Sequence, residues 1–242
     1  MQKSLLSTKD IPARDRLIFA LDVPSQKQAW QWVERLGESV SFFKVGLELF
    51  LAGRCLDLVA ELVAKGKQVF VDLKFFDVPE TVRSAVRQLR SCGATFATVH
   101  GNDAILRAAC QEKKDLKILA VTALTSLDEA DLRDLGFQCN VEELVLSRAR
   151  RALEIGCDGV ISSGLEAARL RETLGAGFLV VTPGIRPLEN RSVDDQKRVA
   201  TPEAAFSSGA DYIVVGRPIR EAPDPRAKAE EIQATILRLF GK

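Results

Sequence analysis

The chain has 242 residues, 46% of them hydrophobic and 28% charged, with a formal net charge of +1. Such a length admits one large domain with a sizeable core, or two small ones. The near-neutral balance excludes a global field attracting nucleic acid or anionic lipid, so any anion recognition must be local.

Short apolar runs rich in β-branched and aromatic residues recur along the whole chain. Strands are predicted near residues 16–22, 41–45, 68–74 and 95–100, then near 117–122, 159–162, 178–182 and 212–216. Their near-continuous hydrophobicity is what strands buried on both faces require. Amphipathic segments lie between them, among them 26–36, 56–65, 79–91, 141–155 and 202–208. Glycines at Gly37, Gly66, Gly93, Gly156 and Gly209 end helices shortly before strands, and Thr201-Pro202 sets a cap before a first-turn proline. Strict alternation means parallel βαβ units. Eight of them in an uninterrupted series predict an α/β fold of the (β/α)8 TIM-barrel type, a single domain over 1–242.

Two connections are long for such a fold. Residues 122–140 include an extra short helical piece, and 184–200 form a polar stretch after strand seven. A loop of that kind reads as a functional lid.

The cysteines Cys55, Cys92, Cys110, Cys139 and Cys157 lie far apart without a CxxC, and His100 is the one histidine. Neither a zinc spacing nor a disulfide framework is present, so reduced thiols and no metal are expected. The stretch MQKSLLSTKDIPARD lacks the apolar core of a leader, and no run reaches the ~18 apolar residues of a membrane span. A cytoplasmic protein is the expectation.

In a barrel, chemistry gathers at the C-terminal ends of the strands. Here those ends carry Asp22, Lys44, Asp72 with Lys74, His100, Thr122, Thr182 and Gly216-Arg217. The densest element is DLKFFDVP at 72–79. Side chains alternate along a strand, so Asp72 and Lys74 should face the same way, with Asp77 just beyond the strand. An acid and a base buried side by side are costly unless they pair. A structural ion pair is the plainer reading of two such residues; with Asp77 and Lys44 added, a functional charge array is the better one. Gly184-Ile185-Arg186 and Gly216-Arg217 suit a phosphate, since glycine admits close backbone N–H groups and arginine adds a charged fork. His100 reads as a hydrogen-bonded rim residue. Trp30 and Trp32 read as helix exterior or interface, and Arg148, Arg150 and Arg151 as a solvated helix face.

Taken together, these residues resemble the orotidine 5'-monophosphate decarboxylase family in its short bacterial form. The similarity runs from Ala20-Leu21-Asp22 to Gly216-Arg217. It rests on DLKFFDVP against the signature DxKxxDIP, accompanied by FFKVG, TVH, LTS, VTPGIRP, DDQKRVATP and VVGRP. The resemblance implies decarboxylation of orotidine 5'-monophosphate to UMP and CO2, in pyrimidine biosynthesis and without a cofactor. It implies Lys74 as proton donor to C6, with Asp72 beside the substrate carboxylate. Lys44 would complete the charge network and, like Asp22, reach the ribose. Asp77 and Thr81 would enter the neighbouring subunit's site, which implies a homodimer. Thr125, with Ser126, would contact the pyrimidine. Gln196, Gly216 and Arg217 would hold the 5'-phosphate, and Arg186 would belong to a closing loop. No nucleic-acid or membrane partner is expected. One departure is Gly101, where alanine is common.

The chemistry agrees with that implication. Loss of CO2 from C6 leaves an electron pair orthogonal to the ring π-system, so it must be met by placed charge, stronger for the transition state than for the substrate. Lys74 has to be an ammonium, a form that Asp72 and Asp77 would favour. The main alternative is a metal-dependent hexulose-phosphate synthase-like aldolase, which applies similar acids to magnesium and a sugar phosphate. The LTS segment and the Gln-containing seventh loop favour a nucleotide instead. A Schiff-base aldolase would need Lys74 as a neutral nucleophile, which Asp72 opposes, and a non-catalytic nucleotide binder would need only the phosphate loops.

Overall fold

A computed structural model describes residues 5–186 and 200–241. Eight strands follow one another as Leu17–Ala20 (β1), Phe42–Val45 (β2), Gln68–Phe75 (β3), Phe96–Val99 (β4), Lys117–Val121 (β5), Gly159–Ile161 (β6), Leu179–Thr182 (β7) and Tyr212–Val215 (β8). Each pairs in parallel with its neighbour, and β1 pairs with β8, closing the sheet in sequence order. This is the predicted (β/α)8 barrel. Most strands stop a residue or two short of their expected ends, because rim residues such as Asp22 and His100 leave the ladder. Strand β3 instead runs on to Phe75.

Side-chain alternation splits the core into two layers. Ile18, Phe42, Phe70, Phe96, Leu119, Val181 and Tyr212 point inward and fill the barrel. Phe96 sits at the centre of this plug, with ring centroids 5.1 Å from both Phe42 and Tyr212 and 6.0 Å from Phe70. Rings at these separations and tilts pack favourably through edge-to-face contact. The second layer lies between the sheet and the surrounding helices. The helix Pro79–Ser91, for example, turns Val82, Val86 and Leu89 to the sheet, the spacing of one helical face. Trp32 belongs to this layer, its ring 5.7 Å from that of Phe19. The reading of Trp32 as helix exterior is corrected on that contact.

Local chemistry fixes the helix ends where the turns require it. Asn140 accepts from the N–H of Glu143 while Glu143 reaches back to the N–H of Asn140, a reciprocal cap that starts Val141–Ile155. Gly156 ends that helix at φ 107°, a conformation open to glycine at no steric cost. Thr201 caps Pro202–Ser207 as expected, accepting from Ala204 at 3.1 Å. The extra helical piece of the fifth connection is Glu129–Asp134.

At the opposite end of the barrel from the strand C-termini, Asp211 is fully buried just before β8. It accepts from Arg171 Nη2 at 2.7 Å, Lys9 Nζ at 3.1 Å and the Val180 N–H at 2.8 Å. Among the described residues, no helix is long and apolar enough to cross a membrane.

Candidate active site

The C-terminal ends of β1, β2 and β3 bring four charged side chains into one row. Lys44 Nζ stands 3.1 Å from Asp22 Oδ1 and 3.7 Å from Asp72 Oδ2, and Lys74 Nζ donates to Asp72 Oδ1 at 2.9 Å. Charge therefore alternates along the rim as Asp22, Lys44, Asp72, Lys74. Lys44 and Asp72 are the inner members, with 11% and 16% of their side chains exposed, whereas Lys74 and Asp22, at 37% and 42%, face the opening. Gly46 leaves the room this row needs, since a methyl there would lie 3.0 Å from Lys44 Nζ and 3.1 Å from Asp22 Oδ1.

Burial alone would push the Asp72 carboxyl up. The ammonium charges of Lys44 and Lys74, with the hydrogen bonds from Lys74 and Thr98, outweigh that effect and hold Asp72 below its ordinary range. Asp72 is thus a carboxylate fixed between two amines.

The backbone of β3 is irregular where it carries these groups. Its pairing with β4 runs Phe70↔Phe96 and Val71↔Ala97, then resumes at Phe75↔Val99. Four steps along β3, 71 to 75, oppose two along β4, 97 to 99. Inside this bulge Lys74 takes φ +49°, the left-handed region, which a lysine seldom adopts. Its N–H donates to Thr98 Oγ1 at 2.9 Å, and Thr98 donates in turn to Asp72 Oδ1 at 2.9 Å. Asp72 and Lys74 do share the mouth of the barrel, through a bulge rather than through strand alternation.

Above the inward plug these residues line a cavity of about 450 Å³. Thr125 lines it from the connection after β5, Gly184 and Arg186 from that after β7, and Gly216, Arg217 and Arg220 from that after β8. Arg220 Nη1 donates to the backbone carbonyl of Asp22, tying the eighth unit to the first. The seventh connection is pinned at its ends, where Arg186 N–H donates to the Ala200 carbonyl at 2.9 Å and Ala200 N–H to that of Gly184 at 3.2 Å. Gln196 lies outside the described residues. Among those described, no group of three or more His, Cys, Asp or Glu gathers as a metal-binding cluster.

Two expected residues do not reach the cavity of their own chain. Asp77 is exposed, its Oδ1 accepting from the N–H of Val78 at 2.6 Å, and Thr81 is exposed on the following helix. The expected second acid beside Lys74 is therefore not supplied within one chain. His100 is the rim residue foreseen, Nδ1 donating to the Val121 carbonyl at 3.0 Å and its ring 5.3 Å from Phe76. Gly101 beside it has φ +119°, and a Cβ there would stand 2.7 Å from Ile105 Cδ1, which accounts for glycine in place of alanine. Arg148 is not on a solvated face as expected: it is partly buried and donates to the Thr122 carbonyl at 2.9 Å.

Residues 15–232 match the sequence profile of the orotidine 5'-phosphate decarboxylase / HUMPS family. The chain belongs to this family. An orotidine 5'-phosphate decarboxylase of Methylococcus capsulatus is 64% identical over 237 residues, 98% of each chain. One from Stenotrophomonas maltophilia is 47% identical, with 96% of this chain and 97% of that one covered. The crystal structure of orotidine 5'-phosphate decarboxylase from Lactobacillus acidophilus superposes with a TM-score of 0.82 at 38% identity, covering 92% of this chain and 99% of that one.

For a member of the orotidine 5'-phosphate decarboxylase / HUMPS family, sequence reasoning missed two residues at this site. Arg220 was readable as a second cation one helical turn after Arg217. Thr98 was readable as the inward position two residues after Phe96 on the same strand face.

Proposed function

We propose that the chain decarboxylates orotidine 5'-monophosphate to UMP and CO2 in pyrimidine biosynthesis. The observation that carries this reading is the row Asp22, Lys44, Asp72, Lys74 at the mouth of a cavity whose adjoining wall holds Arg217 and Arg220. The high identity to decarboxylases across nearly the whole chain favours this substrate over a sugar phosphate.

In this reading the C6–CO2 bond breaks and its electron pair stays on C6, in the plane of the ring. The Lys74 ammonium faces that pair and then gives it a proton, leaving a neutral amine that solvent recharges. A unit charge about 4 Å from another is worth about 4 kcal/mol at an effective dielectric near 20, close to a thousandfold in rate. The lysine alone falls short of what enzymes of this kind require, so its proton transfer and the remaining contacts must add to it. Asp72 takes its place beside the departing carboxylate, where like charge raises the energy of the bound substrate.

Lys44 and Asp22 hold the ribose, and Thr125 holds the pyrimidine. Arg217, with Gly216 and Gln196, holds the phosphate, while Arg186 belongs to the segment that closes over it. Contacts this remote from C6 can drive closure and so support the chemical step. Asp77 and Thr81 act in the site of a second copy. That assignment draws on their exposure and on the apolar surface around them, for Phe76 is 67% exposed and Val78 62%. Exposed apolar side chains clustered in this way mark an association surface. Free thiols at all cysteines suit the cytoplasm.

The test is the loss of orotidylate absorbance with purified protein, with and without chelator. Turnover that EDTA leaves unchanged is expected. Absence of turnover, or turnover that EDTA removes, defeats the reading.

A further inference from the structure

Thr98 is fully buried on β4 and touches Asp72 and Lys74, which line the cavity. Its single hydroxyl serves two groups. It accepts from the N–H of Lys74 and donates to Oδ1 of Asp72, each at 2.9 Å. The same Asp72 oxygen accepts from Lys74 Nζ at 2.9 Å. Backbone, hydroxyl, carboxylate and ammonium thus form a closed ring of hydrogen bonds around one residue, Lys74.

The ladder explains why such a ring is needed. In a regular strand the Lys74 N–H would face β2, as the N–H of Gln68 does in donating to the Ser41 carbonyl at 2.8 Å. The bulge between Val71 and Phe75 turns it to β4 instead, and Lys74 enters the left-handed region at φ +49°. A bulky residue stays in such a conformation only when its surroundings over-determine it. An interior N–H also cannot go unpaired without loss. On the β4 side the Lys74 N–H meets the Thr98 hydroxyl rather than a backbone carbonyl.

We infer that Thr98 is a positioning residue for the decarboxylation, holding the Lys74 backbone in its bulge and the Asp72 carboxylate at the angle that keeps the two side chains in register. The inference rests on the proposed function for its catalytic meaning, and on the hydrogen-bond geometry for its structural content. A displacement near 1 Å of a reacting group can cost about a hundredfold in rate. Thr98→Val keeps the shape of the side chain and removes the hydroxyl.

The expected result is a kcat lower by about a hundredfold, with KM and the affinity for UMP within a few-fold of the parent. Thr98→Ser, which retains the hydroxyl, should keep most of the rate. The acid limb of the pH–rate profile should move upward in Thr98→Val, because Asp72 loses one hydrogen bond while still facing Lys44 from β2 and Lys74 from β3, with Asp22 of β1 behind Lys44. In crystals of Thr98→Val, Lys74 should leave the left-handed region. Should the valine chain not fold, Thr98→Ala reads the same step. An active parent whose Thr98→Val keeps both kcat and pH profile overturns the inference. So does a serine variant as impaired as the valine one, which would assign the effect to packing. An inactive parent defeats the decarboxylase reading instead, and the crystal of Thr98→Val still decides whether the hydroxyl holds Lys74.

Discussion

Lys74 donates its ammonium to Asp72 at 2.9 Å while its own backbone sits at φ +49°. The two residues stand two apart in β3, and their side chains meet across a bulge in that strand. A left-handed lysine costs on the order of 1–3 kcal/mol. The strain is explained if the ammonium has to point into the cavity rather than along the wall.

Removal of that ammonium is the sharpest trial of the mechanism. Lys74→Ala takes away about a thousandfold of charge stabilisation together with a proton donor worth about 10²–10⁴. Turnover should fall by at least about 10⁵-fold. Titration with UMP should still show binding close to the parent's, since the phosphate wall is untouched. Near-normal decarboxylation by Lys74→Ala would end the proposal.

The acid side of the pH profile follows from Asp72. Its folded-state pKa is depressed, so its contribution is present above the unfolded value and is lost as pH falls through the folded one. The parent should therefore keep its rate down to below about pH 4, as far as the fold survives. Lys44→Ala removes the larger of the two Coulombic effects on Asp72 and leaves burial less opposed. Its acid limb should move to higher pH, and a pH–rate profile unchanged by that substitution would contradict the assignment of Asp72 as the titrating group.

Arg217 offers a test that separates binding from chemistry. Arg217→Ala removes a charge-assisted hydrogen bond to phosphate inside a partly enclosed cavity, and kcat/KM should fall by about 10²-fold. With orotidine, which has no phosphate, parent and variant should be equally slow. A drop of the same size with both substrates would move Arg217 from phosphate recognition to support of the cavity wall.

Much of this was legible in the sequence, for a physical reason. Parallel barrel strands are buried on both faces, so each announces itself as an apolar run, and the charged residues that interrupt those runs mark the mouth. Asp22, Lys44, Asp72 and Lys74 could all be placed in this way. The bulge in β3 could not, because DLKFF carries no glycine or proline to signal it and depends on a hydroxyl 24 residues away. Arg148 was misread because it stands in a run with Arg150 and Arg151, which suggests a common solvated face and gives no sign of a carbonyl within its reach. Asp77 was placed beside Lys74 by its spacing, although one chain leaves it in solvent.

Complementation between chains tests the place of Asp77. If Asp77 completes a partner's site, then Lys74→Ala and Asp77→Ala proteins, each inactive alone, should recover activity when unfolded together and refolded. Statistical mixing places both lesions in one site of each hybrid and leaves the other intact, about a quarter of the parent's activity overall. No recovery from a mixture shown to contain hybrids would mean that Asp77 acts within its own chain or not at all.

The far end of the barrel makes the opposite kind of claim, about stability without chemistry. Asp211 is fully buried and bound by Arg171, by Lys9 and by the Val180 N–H. Removing one partner from such a group leaves an uncompensated buried charge, at about 3–5 kcal/mol. Asp211→Asn retains the shape and strands the Arg171 guanidinium, so the unfolding temperature should fall by on the order of 10 °C. The kcat of the folded fraction at low temperature should stay at the parent's value, because Asp211 precedes β8 whereas the cavity lies beyond its other end. A variant with unaltered stability would show that the cluster is solvated in practice, and a variant with full stability but slower turnover would tie it to the mouth through β8.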